Sequence, residues 1–279
     1  AGGHVGRRGR GPGELSRPGA VAFDVEGNIA VVDRDKAAFV RWRGSDRALL
    51  EQAPAVGVFY GGGVQPLQGG FAYIDLATGG GGVRYRLMVN AGGEAREVLS
   101  GPLLASREAE FPSCGARLLG APWFSPRLAW TTWRNRVAGA ADYAYDISIF
   151  ESGTPVLRVR RDIGPVRMTH ALALRQLQGE RIGTCVIPPQ EAIRGFGFAP
   201  QLPVVEALAI SPSGEIWVKR TRLRGETPLV DVFSAVGQYV GTLVGVPFPA
   251  AFIDAEHFVS VSVDSMDVPR LNAYRIARR

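Results

Sequence analysis

GAVAFDVEGNIAVVDR, residues 19–34, holds two runs of alternating apolar residues on either side of Glu26-Gly27-Asn28. Period-two alternation flanking a short polar turn is the signature of a β-hairpin, and glycine tolerates the positive φ that such turns need. The pattern recurs. EALAISPSGEIWVKR (206–220) turns at Ser213-Gly214-Glu215, and AAFIDAEHFVSVSVD (250–264) turns at Ala255-Glu256 without a glycine. Weaker copies are VQPLQGGFAYIDLA (64–77), turning at Gly69-Gly70, and APWFSPRLAWTTW (121–133), read as turning near Pro126-Arg127.

A second apolar strand, glycine turn and strand follow each hairpin. They read FVRWRGSDRALL (39–50), YRLMVNAGGEAREVL (85–99), ISIFESGTPVLRVR (147–160) and VDVFSAVGQYVGTL (230–243), while LNAYRIA (271–277) stops before its last strand. Two hairpins in series make a four-stranded antiparallel sheet, and such sheets repeated about an axis are propeller blades. The expectation is a single all-β domain, residues 1–279, with five blade units at 19–51, 64–101, 121–162, 204–245 and 249–277. Gly44, Gly93, Gly153 and Gly237 mark the second turns, and the last spacing, 84 residues, exceeds the first two, 49 and 60. An insertion over 165–203 accounts for the excess, with MTHALALRQLQGE (168–180) as a short helix.

The run GRRGRGPGELSRPGAVAFDVEGNIAVVDRDKAAFVRW (6–42) resembles the six-bladed propellers built from NHL-like repeats, including exported bacterial ones. The matching residues are Gly9, Gly11, Pro12, Gly13, Glu14 and Pro18 in the linker, then Asp24, Gly27, Asn28, Ile29, Val31 and Asp33 in the hairpin. In that family the GPGE linker follows a first blade, whereas here it begins almost at residue 1. The resemblance therefore implies a blade or strand that is lacking or borrowed, and 1–9 is the candidate to supply the strand that the last unit lacks. A parent with a further N-terminal blade, or completion by a neighbouring chain, are the alternatives.

Composition narrows the function classes. The 279 residues are 46% hydrophobic, with 36 Gly and 19 Pro, enough for a full core and many turns. No apolar run approaches the roughly 18 residues of a membrane-spanning helix. The formal charge is +6, but Lys36 and Lys219 are the only lysines, so the excess is arginine of the kind a GC-rich genome produces. Cys114 and Cys185 are too few for a zinc site and sit in no C-x-x-C motif; outside the cytosol they are a possible disulfide. The chain opens at Ala1 without an initiator Met, which fits a removed signal peptide or an otherwise incomplete N-terminus.

A search for chemistry nominates no catalytic residue. Gly79–Gly82 precede no G-K-[ST], and Pro12 interrupts the Gly9/Gly11/Gly13 series, so neither is a phosphate loop. His4, His170 and His257 lie in unrelated segments, so no histidine pair is set up as metal ligands. The resemblance extends to lactonase-type propellers that hold calcium in the channel, for which Asp24, Asp75 and Asp254 would be the oxygen ligands; no cofactor is otherwise implied. Aligned by repeat, the loops after each second strand form one basic face: Arg34 and Lys36, Arg134 and Arg136, and Lys219, Arg220, Arg222 and Arg224, beside the neutral Gly79–Gly82 and the acidic 264–267. Such a face would hold an anion through charge-assisted hydrogen bonds, or is a solvated arginine-rich rim. Trp42, Trp130, Trp133 and Trp217 are expected to pack between blades.

The favoured reading is a non-enzymatic exported propeller, periplasmic, cell-surface or extracellular, that binds a protein partner or copies of itself. A hydrolase with a channel metal is the runner-up. A polyanion binder using the basic face comes third, and nucleic acid is not the favoured partner.

Overall fold

The computed structural model describes residues 4–24, 26–54, 59–91, 94–263 and 268–277. The chain is all-β, with five blades in a propeller arrangement and two short helices among the described residues. The first blade is β1 (Pro18–Phe23), β2 (Ile29–Asp33), β3 (Ala38–Trp42) and β4 (Leu49–Pro54), paired antiparallel in that order. The second is β5 (Phe59–Leu67), β6 (Gly70–Gly79), β7 (Gly82–Ala91) and β8 (Glu94–Ser100), with the two-residue β9 (Leu104–Ala105) added beside β7. A separate hairpin follows, β10 (Arg107–Phe111) and β11 (Ala116–Gly120).

The third blade is β12 (Ala129–Trp133), β13 (Arg136–Ala140), β14 (Asp146–Glu151) and β15 (Thr154–Arg160). The insertion after it contains β16 (Val166–Arg167), helix α1 (His170–Gln176), β17 (Arg181–Ile182), β18 (Cys185–Val186), helix α2 (Pro189–Phe196) and β19 (Gln201–Leu202), which pairs with β16. The fourth blade is β20 (Val205–Ile210), β21 (Ile216–Arg220), β22 (Leu229–Phe233) and β23 (Tyr239–Val244). The fifth has three strands, β24 (Ala251–Phe252), β25 (His257–Val263) and β26 (Pro269–Arg275).

First strands stand side by side: β1 beside β5, β5 beside β12, and β12 beside β20. Alternation sends one set of each strand's side chains to the preceding blade and the other to the next, so both faces of a blade are core. Ala22, Val32 and Phe39 meet Val64, Phe71 and Tyr73 between the first two blades. Leu67, Ile74 and Leu87 meet Trp130, Val137 and Phe150 between the second and third. Ile147, Ile149 and Val159 meet Leu208, Val218 and Phe233 between the third and fourth. Trp217, Val230 and Val232 meet Phe258 between the fourth and fifth, where Phe252 packs edge-on to Trp217. Three of the four strand tryptophans thus fill or flank such layers, Trp133 lying at the edge of the third, while Trp42 lies on the outward side of the first blade.

The polar signature of the first hairpin explains itself locally. Asp24 accepts from the backbone N–H of Glu26 and Asn28 and from the Asn28 side-chain amide. Asp33, fully buried, accepts from the N–H groups of Ser16, Arg17, Asp35 and Lys36, so one carboxylate ties the linker to the turn. Its pKa is depressed: burial opposes ionisation, and the four N–H donors outweigh it. Glu14 closes the GPGE turn by accepting from Gly11 N–H and Arg7.

Two sequence expectations change. Residues 121–133 are not a hairpin turning at Pro126: the chain is irregular until β12, and the turn is Arg134-Asn135, with Arg134 at φ 54° and no glycine to announce it. Residues 4–9 do not add a strand to the fifth blade. Arg8 bridges Leu15, and Val5 and Leu15 pack on Val31, Val40 and Trp42 of the first blade, while β24, β25 and β26 form a three-stranded sheet.

Candidate functional site

In an antiparallel four-stranded blade, turns after the first and third strands emerge on one face of the disc. Turns after the second strand, and the links between blades, emerge on the other. Both long links, 101–128 and 161–204, therefore rise from the same face. They join into one cap: Cys114 and Cys185 are disulfide-bonded, and Phe111, Leu177, Ile187, Ala192 and Phe196 form its own small core. Trp123 donates its indole N–H to the Ala192 carbonyl, and its backbone pairs with Gly197 and Ala199. The sequence located the 165–203 insertion but assigned part of its partner, 121–128, to a blade. The signal for the cap was the crowding of Pro112, Pro122, Trp123, Phe124 and Pro126, which no period-two strand accommodates.

The proposed basic face divides. Arg34, Lys36, Arg222 and Arg224 lie after second strands, on the cap side, whereas Arg134 and Arg136 flank the turn after a first strand and so lie on the opposite face. That is a correction, and it follows from the misplaced turn of the third blade. Most of these side chains are also engaged. Lys36 donates to the carbonyls of Gly11 and Glu14 at 2.7 Å each, fastening the linker. Arg136 pairs with Glu151, Lys219 with Glu206, and Arg220 forms a two-pronged pair with Asp231 at 3.0 Å. Arg222 holds the Glu226 carbonyl and Arg224 the Gln178 carbonyl, binding the blade-four loop to itself and to the cap. Arg34 is exposed, and exposed Arg134 lies over Trp133 at 5.6 Å. The 264–267 loop lies outside the described residues.

The three aspartates considered for a channel ion do not converge. Asp24 and Asp254 cap turns, Asp254 accepting from the N–H groups of Glu256 and His257. Asp75 sits on β6, a second strand, and pairs with Arg86. Among the described residues no three His, Cys, Asp or Glu side chains gather as metal ligands. A buried charge cluster on the fourth blade is structural. Asp231 pairs with Arg220 and with Arg161 at 2.8 Å and accepts from Thr242, while Arg161 stacks on Tyr239 at 4.1 Å. Burial works against the Asp231 charge, but these donors hold its pKa below the usual range. Burial and the Asp231 charge push the neighbouring Tyr145 phenol well up.

The remaining feature is the seam between the last and first blades. Sequence reasoning foresaw an incomplete last unit but named no seam residues. Val21 and Phe23 of β1 point away from the second blade and are 59% and 60% exposed; Val261 and Leu271 of the fifth blade are 51% and 75% exposed. Among the described residues no core layer joins these two blades. A cavity of about 560 Å³ lies elsewhere, between the fourth and fifth blades, lined by Ser213 of the fourth and by Glu256, Arg275 and Ile276 of the fifth among others.

No protein-family model matches the chain, and no curated protein does. Among solved structures it is similar to hydrazine synthase of Kuenenia stuttgartiensis (10% identity, TM-score 0.43, covering 98% of this chain and 64% of that one). It is also similar to a DUF4221 family member from Bacteroides vulgatus (8% identity, TM-score 0.46, 95% and 81%). A third is an exported protein, so described provisionally, from Bacteroides fragilis (10% identity, TM-score 0.41, 92% and 69%). The chain spans 64% and 55% of the first two structures it matches, the second being a eukaryotic initiation factor.

Proposed function

We propose that this chain is a non-enzymatic interaction module of the NHL-like propeller lineage, exported from the cell, whose working surface is the seam between its fifth and first blades. One observation carries the reading: apolar side chains on the faces of the first and fifth blades that turn away from their packed neighbours are exposed. Val21 and Phe23 of the first blade and Val261, Val263 and Leu271 of the fifth are each more than half exposed, although Val31, Val40 and Trp42 on the same face of the first blade are buried under Val5 and Leu15. Exposed apolar surface of this kind marks an interaction site. The lineage is supported by the linker geometry, in which Glu14 and Asp33 serve the turns that the GPGE and D-x-x-G-N-I-x-V-x-D residues require. Export is supported by the Cys114–Cys185 bond, since such bonds persist in oxidising compartments.

Photo-crosslinking tests the reading. A benzophenone side chain is placed at position 23, at position 271 and, as control, at the exposed Val156 of β15. The same single polypeptide, identified by mass spectrometry, is expected at the two seam positions and absent at the control. No product at either seam position, or equal products at all three, sinks the proposal.

A further inference from the structure

The two cysteines of the cap sit on supports of unequal strength. Cys114 ends the single 3-10 turn Pro112–Cys114, which is well anchored. The turn connects β10 to β11 through Gly115, and those strands pair at five positions. Fully buried Phe111 stands just before it. Ser113 donates both its backbone N–H and its hydroxyl to Glu191 Oε1 of α2, at 3.1 and 3.0 Å. This side of the bond is a post.

Cys185 belongs to a tongue, residues 178–186, that leaves the cap core at Leu177 and returns to it at Ile187. Its strands β17 and β18 share two residue pairs, Arg181↔Val186 and Ile182↔Cys185, across the turn Gly183-Thr184. A hairpin that short does not hold itself together in water. The base of the tongue is fastened. Glu180 N–H donates to the Leu177 carbonyl, Ile187 N–H to the Glu180 carbonyl, and Arg224 to the Gln178 carbonyl at 2.5 Å. The tip is not: among the described residues no main-chain hydrogen bond joins 181–186 to the rest of the cap. Half-buried Ile182 rests on the cap core, and the bond to Cys114 supplies the remaining hold. Ser113, Gly115, Thr184 and Val186, which flank the two cysteines, are all exposed, so a small thiol reaches the sulfurs. Disulfides in such exposed positions are the labile ones.

We propose that the tongue is a thiol-controlled latch: a dithiol reductant opens the Cys114–Cys185 bond in the folded protein, and the cap opens at the tongue while its core and the blades stay folded. In the exchange, one thiolate of the dithiol attacks a sulfur of the bond, which breaks as a mixed disulfide forms. The second thiol of the reductant then displaces the protein sulfur. Two electrons pass to the protein, the cysteine sulfurs take up two protons, and the reductant leaves as its own disulfide. The cap core survives because Phe111, Leu177, Ala192 and Phe196 meet without the tongue, and Trp123 still donates to the Ala192 carbonyl. Opening uncovers Ile182 and the apolar side chains on which it rests. The inference is independent of the seam.

The test uses the full oxidised chain in native buffer. Dithiothreitol is added without denaturant, one portion is alkylated with iodoacetamide to count thiols, and another is digested briefly with trypsin and read by mass spectrometry. Both cysteines are expected to take the label. Cleavage after exposed Arg181 is expected to run about tenfold or more faster than in the oxidised chain, as release of a local element requires. Cleavage after exposed Arg117 of β11, on the anchored side of the bond, is expected to change less than about twofold, as are cuts inside the blades. Exchange of an unalkylated portion into oxidised glutathione is expected to restore the slow cut. Cys114→Ser with Cys185→Ser is expected to be cut after Arg181 as fast as the reduced chain, with or without reductant. Cysteines that resist the label until denaturant is added, or an Arg181 cut unchanged by reduction, overturn the proposal. So does acceleration of the Arg117 and Arg181 cuts together, which would make the bond a staple of the whole cap, and so does a fast cut that persists after reoxidation. These readouts decide on the wild-type chain even if the variant misfolds.

Discussion

The junction between the third and fourth blades and the seam between the fifth and first are built from the same kinds of side chain and end in opposite states. At the first, Ile147, Ile149 and Phe233 are buried to within 2% of completely; at the second, Phe23 and Leu271 are more than half exposed. Burial of a Leu or Phe side chain stabilises by roughly 1.5–3 kcal/mol, so the closed junctions hold the disc together and the open one leaves that energy for association. A blade is thus a unit with two adhesive faces, and where such a face is exposed its adhesion is still present.

Truncation should break this contrast most clearly. Phe233→Ala removes a ring shared with Tyr145 and the blade-three layer, and is expected to cost about 3–5 kcal/mol in urea melts. If it costs no more than a surface change, the junctions are not what holds the disc. Cys114→Ser with Cys185→Ser opens the cap, at about 2–4 kcal/mol. Limited proteolysis should then cut within 101–128 or 161–204 first, and cutting inside a blade instead would show that the cap does not fold as a unit. Asp33→Ala strands four backbone N–H donors, at about 1–3 kcal/mol, and loosens the linker. The sign for pH follows from the depressed folded pKa values of Asp24, Asp33 and Asp231. Their contribution is complete above the unfolded carboxylate value near ~3.9 and is lost as pH falls through the lower folded values. Thermal melts should be flat from neutral pH to about 4 and fall below it; a fall beginning near pH 6 would point to other groups. Smallest of all, Leu271→Ser should change stability by less than about 0.5 kcal/mol while removing association at the seam.

The blade rhythm was legible because its hairpins alternate strictly and most turns carry glycine, as at Gly69 and Gly214, both with positive φ. The third blade was misplaced where that cue fails. Arg134 takes the left-handed conformation that a glycine usually takes, and Pro126 imitates a turn eight residues too early. One misplaced turn then moved Arg134 and Arg136 to the wrong face. The engagement of the other arginines was not legible for a different reason. Their carboxylates and carbonyls sit on neighbouring strands and loops, 11 residues away for Arg220 and Asp231 and 46 for Arg224 and Gln178, so only the folded register reveals them. The seam was half visible, since a last unit without its fourth strand announces an open edge but not which side chains border it.

The bond between Cys114 and Cys185 has a mechanical consequence. It spans 71 residues and encloses the whole third blade between its anchor points. Pulled from its two ends, the molecule can unravel on either side, yet the enclosed length, roughly 250 Å of extended chain, stays hidden from the applied force until the sulfurs are reduced.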